Sequence, residues 1–257
     1  MANTALITGA SAGIGAEFAR YHASKGGDLI IAARREDALL ELKKELEAAH
    51  GVTVHVVAAD LGSPEGTSKF IAAVDALAVD VDILINNAGF GGHGNLIDRD
   101  IAAERAMIEL NVQTLVALTH HFAAKMAARG KGKILNVGST AGFMPGPDQA
   151  VYFATKAFVN SFSQAVDQEL RAKGVTCTVL APGYVETEFA KVANLEGTDL
   201  AQNGATAESV AKHGYDAMMQ GKLVTVNERM LSFLLNWVTP LMPRRSVLKM
   251  VERMQAK

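Results

Sequence analysis

The chain has 257 residues, 49% hydrophobic and 20% charged, with a formal net charge of −2. That is enough to bury a sizeable core near the upper end of single-domain length, so residues 1–257 read as one domain with no Gly/Ser-rich linker. The charge balance offers no basic stripe and argues against nucleic acid. A single cysteine, Cys177, rules out an internal disulfide or a thiolate metal cluster. No apolar run reaches the roughly 18 residues of a membrane span. The short apolar start lacks a secretory n-region, and a reducing, cytoplasmic compartment is expected.

In chain order, short apolar runs alternate with longer amphipathic stretches, the pattern of repeated βα units on a parallel sheet covered on both faces. The first strand, 4–8, runs into Thr8-Gly9-Ala10-Ser11-Ala12-Gly13-Ile14-Gly15 and a helix over 14–24. Glycine at 9 permits a sharp turn, at 13 a close approach of backbone to a pyrophosphate, and at 15 close packing of helix on sheet. Ser11, Ala12 and Ile14 complete the candidate cradle. The second strand, 28–32, ends in Ala33-Arg34-Arg35 where many dinucleotide folds carry a carboxylate for the ribose hydroxyls. Arg34 instead offers a forked cation to a 2′-phosphate, which points to NADP, with Arg35 a ligand or a surface charge. Glu36 and Asp37 belong to the first turn of the helix 36–49.

A strand over 53–58 leads to Asp60 and Leu61. Ser63 and Pro64 then mark the N-cap and first position of a helix over 64–78. A fourth strand, 82–85, is followed by Asn86, Asn87, Ala88 and Gly89. Asn111 stands inside the helix over 101–128, where propensity alone disfavours asparagine. After the strand 133–137 stands Ser139, at the carboxyl edge where open α/β sheets bind ligands. Its hydroxyl suits a developing oxyanion.

The next helix, 151–172, begins with Tyr152 and Lys156, four apart and therefore on one face, about 5 to 6 Å apart at Cβ. An ammonium beside a phenol is expected to lower its pKa and allow proton exchange with a carbonyl or alcohol oxygen. Gly174 stops that helix. A strand over 175–180, the pair Pro182-Gly183, a loop over 186–205, a helix over 207–219 and a strand over 223–226 follow, then a helical extension over 228–257.

Together these marks resemble the short-chain dehydrogenase/reductase family over residues 4 to about 187. They are T-G-x-x-x-G-x-G at 8–15, Asp60, Asn86 to Gly89, Asn111, Ser139, Tyr152-x-x-x-Lys156, and Pro182-Gly183 with Thr187. The resemblance implies a doubly wound, Rossmann-like sheet of about seven parallel strands in the order 3-2-1-4-5-6-7, with a catalytic tetrad of Asn111, Ser139, Tyr152 and Lys156. Asn111 would hold a water between the lysine and solvent, and Lys156 the ribose hydroxyls. Asp60 would accept from the adenine amino group with Leu61 beside the ring. Asn87, Ala88 and Gly89 would border the cofactor, and Val185 and Thr187 would face the nicotinamide amide. A homodimer or homotetramer through helices 101–128 and 151–172 is also implied.

The same positions place residues 90–93, 143–149 and 186–203 around a small-molecule carbonyl or alcohol. Phe90, Phe143, Met144 and Phe189 suggest that it has a hydrophobic portion. His93 lacks partners at metal spacing and no metal site is expected. A dinucleotide-binding sensor or scaffold without chemistry is the alternative, disfavoured by the intact Ser139, Tyr152 and Lys156. A 3-oxoacyl thioester reductase and a hydroxysteroid or general carbonyl reductase share one tetrad and stay open. The segment 230–242 is expected to cover the active-site mouth, meet another subunit or lie on a membrane surface.

Overall fold

A computed structural model describes residues 3–198 and 204–256. Its central sheet has seven strands ordered β3-β2-β1-β4-β5-β6-β9. These are β1 Thr4–Thr8, β2 Asp28–Ala33, β3 Val54–Ala58, β4 Ile83–Asn86, β5 Gly132–Val137, β6 Val175–Leu180 and β9 Val224–Thr225. Every pairing is parallel. With β9 as the seventh strand in the sheet, the expected order holds. Between β6 and β9, Val185–Glu186 (β7) and Ala205–Thr206 (β8) form a separate parallel pair that two-residue runs gave no means to foresee.

Alternation along the strands divides the core into two layers. Ala5 and Ile7 of β1 and Leu29 and Ile31 of β2 pack with helices α1 (Gly13–Ala23), α2 (Glu36–His50) and α8 (Ala207–Met219). Leu6, Ile30, Leu84 and Ile134 face the other way, against Phe70 and Val74 of α3 (Pro64–Ala76) and Leu118 and Phe122 of α5 (Leu115–Arg129). Strands buried on both faces therefore read as unbroken apolar runs.

Local signals act where they were anticipated. Ser63 accepts from the Gly66 amide at 3.1 Å with Pro64 at the first position of α3, a cap worth about 1 kcal/mol. Gly174 adopts φ +76° after α6 (Ala150–Leu170) and a 3-10 turn over Arg171–Lys173. Cys177 is fully buried, and burial pushes its thiol up to about 12.

One expectation is corrected. Residues 101–128 are not one uninterrupted α-helix: α4 (Ile101–Ile108) passes through a π turn, Glu109–Thr114, into α5. Apolar periodicity cannot reveal a single extra residue per turn, yet such turns cluster at functional sites, and this one carries Asn111. The short α7 (Phe189–Val192) lies between β7 and β8, and beyond β9 the chain forms α9 (Arg229–Phe233), a π turn over Leu234–Val238, a 3-10 turn over Thr239–Leu241, and α10 (Arg244–Gln255). No helix among the described residues is long and apolar enough to cross a membrane.

Candidate active site

The carboxyl ends of the strands open into a cleft of 1010 Å3, at the upper end of the range for ligand pockets. One wall is the turn after β1. Gly9 sits at φ +69°, and a Cβ on Gly15 would lie 2.2 Å from the Gly9 carbonyl oxygen, so a side chain at either place would break the turn. Asn87 ties this turn to the end of β4, its Nδ2 donating to the Thr8 and Gly9 carbonyls at 3.0 and 3.3 Å. Thr8 Oγ1 in turn accepts from the Asn87 and Ala88 amides. Helix α1 starts at Gly13 with no side-chain cap and no acidic residue in its first turn. Its leading N–H groups and the positive end of its dipole are thus left for an anion.

Ser11, Ala12, Gly13 and Ile14 line this end of the cleft, and Asp60, Leu61, Arg34 and Arg35 line its flank. No carboxylate ends β2. Arg34 is exposed and makes no ion pair among the described residues. Arg35 reaches across to Glu188 at 3.1 Å and lies 3.4 Å from Ser11 Oγ. Asp60 accepts from the Gly62 amide at 3.0 Å, and Leu61 is buried, its carbonyl held by Thr114 Oγ1 at 2.7 Å.

At the deep end, Tyr152 and Lys156 come from one face of α6. Lys156 Nζ donates to the Val137 carbonyl at 2.8 Å and stands 5.9 Å from the centre of the Tyr152 ring. Ser139 begins a 3-10 turn, its Oγ accepting from the Ala141 amide at 3.1 Å, while Asn160 Nδ2 holds its carbonyl at 3.1 Å. Burial pushes the phenol up to about 12, the Ser139 side chain pulling the other way, and the same burial brings Lys156 down to about 8. Lowering was expected of the phenol, and burial instead raises it.

Asn111 lies behind the cleft, not on its wall. Its Nδ2 donates to the Phe90 carbonyl at 2.9 Å and to Thr155 Oγ1 at 3.2 Å, and its Oδ1 accepts from the Phe90 amide at 3.1 Å. The side chain thus fixes the loop after Gly89 against α6. Gly89, Asn87 and Ala88 line the cleft with Pro182, Gly183, Val185 and Thr187 on the opposite side. Thr187 Oγ1 also accepts from the Phe189 amide at 3.2 Å at the start of α7.

Part of the lining is apolar, with Phe90, Met144, Phe189, Val192 and Leu195 and the Phe189 ring 5.5 Å from that of Tyr152. Several anticipated neighbours lie elsewhere. Phe143 packs with Val179, Ala181 and Val226, because the 3-10 turn points it under the sheet edge. Gly91 stays at the site, where a Cβ would meet the Phe189 and Tyr152 rings at 2.8 and 3.2 Å, whereas Gly92 is buried against Arg99 and His93 bonds the Gln255 carbonyl at 2.9 Å. Residues 199–203 of the substrate loop fall outside the described residues.

Leu231 lines the cleft from the segment expected at its mouth, while sequence reasoning missed Glu228, Val251 and Met254, which line it from the tail. Helix α10 is held there by Val247 and Val251 packing with Ala141 and Phe153 and by Gln149 donating to Gln255 Oε1 at 2.7 Å. Asn160 was missed too, although it continues the Tyr152, Lys156 spacing by four more residues. Among the described residues, no group of three or more His, Cys, Asp or Glu side chains is placed to hold a metal ion.

A parallel doubly wound sheet with a glycine-cornered anion cradle and a half-buried tyrosine beside buried Ser139 and Lys156 defines a dinucleotide-dependent oxidoreductase class. The sequence model of the family described as short chain dehydrogenase matches residues 3–197. Serine 3-dehydrogenase of Agrobacterium fabrum is 34% identical over 235 residues, covering 88% of this chain and 92% of that protein. Sulfoacetaldehyde reductase 2 of Chromohalobacter salexigens is 38% identical over 194 residues, 75% and 76% of the two chains. Among solved structures, a short-chain dehydrogenase from Sphingobium yanoikuyae in complex with NADPH superposes with TM-score 0.84 at 29% identity, over 99% of this chain and 98% of that one. The chain belongs to the short-chain dehydrogenase/reductase family. It is an oxidoreductase acting on alcohol or carbonyl groups with a nicotinamide dinucleotide.

Proposed function

We propose that the protein is an NADP-dependent reductase of ketones or aldehydes that carry a hydrophobic portion, and that Asn111, Ser139, Tyr152 and Lys156 form its catalytic set. The observation that carries this reading is Tyr152 at the junction of the anion cradle and the apolar part of the cleft, one helical turn from Lys156 and with Ser139 in the same lining. The uncapped start of α1, the turn cornered by Gly9 and Gly15 and the unpaired Arg34 fit a dinucleotide with a 2′-phosphate. When bound, the reduced nicotinamide supplies the hydride.

The chain's own residues do the rest. Arg34 faces the 2′-phosphate, joined by Arg35 once it leaves Glu188, a pair exposed enough to be worth at most about 1 kcal/mol. Asp60 with Leu61 borders the adenine; Asn87, Ala88, Gly89, Pro182, Gly183, Val185 and Thr187 frame the ribose and nicotinamide. Ser139 Oγ donates to the substrate oxygen, Tyr152 Oη gives it a proton as charge develops, and Lys156 holds the ribose hydroxyls. Asn111 acts by setting the Phe90 loop.

The test is NADPH oxidation followed across a panel of carbonyl compounds. Turnover should favour bulky apolar ketones, and Tyr152→Phe should lower kcat by at least about 100-fold while leaving NADPH affinity within a few-fold. Equal rates in mutant and parent would overturn the assignment, and turnover confined to small hydrophilic carbonyls would reject the substrate class. A sensor without chemistry would show NADPH binding and no turnover at all.

A further inference from the structure

We propose that the outward face of residues 230–241 docks on an anionic lipid bilayer surface. Arg229–Phe233 and the turns that follow run as one helical stretch to Leu241. Met230, Phe233, Leu234, Trp237, Val238 and Leu241 recur at the three-and-four spacing of a helix face. That spacing would ordinarily mark a face turned to a core. Here it faces solvent: Met230 is 72% exposed, Trp237 69% and Leu241 86%. The inner face is already satisfied, since Leu235 is buried and Leu231 packs beside Val226 and lines the cleft. The outer stripe is thus neither core nor a cover for the active site, and contiguous apolar surface of this kind marks an interaction site.

Charge selects the partner. Residues 230–243 contain no charged side chain, while the flanks 228–229 and 244–256 carry Arg229, Arg244, Arg245, Lys249 and Arg253 against Glu228 and Glu252. None of those cations forms an ion pair among the described residues. An uncharged aromatic-bearing stripe rimmed by free cations is the pattern of a helix lying in the interface of an anionic membrane. Two copies packed through this stripe would instead bring like-charged rims together.

Trp237 is the only tryptophan, so its emission reports this face alone. Full-length protein is mixed with phosphatidylglycerol vesicles, with phosphatidylcholine vesicles, and with neither. The proposal expects a blue shift and co-sedimentation with phosphatidylglycerol, weaker binding to phosphatidylcholine, and loss of binding as salt is raised. Phe233→Asp with Leu241→Asp, which keeps the probe, should cut partitioning at least about ten-fold with turnover of a water-soluble carbonyl unchanged. Unshifted emission with protein left in the supernatant overturns the proposal. So does equal binding to both lipids, which removes the role of charge. Emission already blue in buffer, with a mass by light scattering that the double variant halves, overturns it in favour of a second copy of the chain.

Discussion

Arg34 and Arg35 stand side by side at the end of β2 with different commitments: the first is unpaired beside the cleft, the second holds Glu188. Arg34→Asp should raise the KM for NADPH by about ten-fold or more, roughly 1.4 kcal/mol, and leave NADH nearly unaffected, since only the former brings a 2′-phosphate to the new carboxylate. An unchanged preference in steady-state kinetics would place the phosphate elsewhere. Lys156 gives a pH prediction. Its ammonium, brought down to about 8 by burial, is charged below that value and neutral above it. Carbonyl reduction should therefore lose kcat/KM as pH rises through about 8, with Tyr152 protonated throughout. A profile flat across that range would show that the charge is not used.

His22 acts on stability rather than turnover. It is buried on α1, bonding Tyr215 Oη of α8 at 2.8 Å and the Asn3 and Asp28 carbonyls at 3.1 Å, and burial lowers its pKa from 6.5. The unfolded chain then binds a proton near 6.5 that the native state refuses, so stability is full above that pH and declines as pH falls below it. Thermal melts should show Tm dropping from neutral toward acid pH, and His22→Gln should flatten this decline while lowering Tm at neutral pH.

At the scale of elements, the sequence made the βα succession plain because two-sided burial demands apolar strands, and capping residues such as Ser63 and Gly174 set the ends. It was equally informative at Tyr152 and Lys156, where helical spacing alone puts two groups on one face. It was blind to what depends on contacts distant in the chain. The β7–β8 pair rests on four residues 20 apart from one edge to the other, Val185 with Ala205 and Glu186 with Thr206, too few for any periodicity. The placement of α10 rests on His93 and Gln149, each more than 100 positions from Gln255. Phe143 misled because a loop aromatic carries no sign of which way its turn points it. Gln149→Ala should loosen α10 and raise KM for a bulky carbonyl by roughly five-fold with kcat little altered, the loss of one hydrogen bond of about 1 kcal/mol; a fall in kcat alone would deny α10 its part in the substrate wall.

For the whole molecule, Ile101 and Ile108 of α4 and Phe158 of α6 are exposed, and Phe158 stacks on Phe162 at 5.6 Å. We propose that these helices pair between copies as a homodimer or homotetramer in a reducing, cytoplasmic compartment. Light scattering should give a multiple of 27.2 kDa, and Phe158→Asp should reduce it; a monomeric parent would refute the assembly. The π turn at Glu109–Thr114 bears on all of this. One residue advances a helix by about 100°, so the surplus residue there sets the phase of everything after it. Excising a single position would swing Leu118 and Phe122 away from the sheet and carry the exposed side of α5 inward. Asn111 and Thr114 fix the side chains of this stretch through their hydrogen bonds, and the phase of the helix beyond it fixes its length.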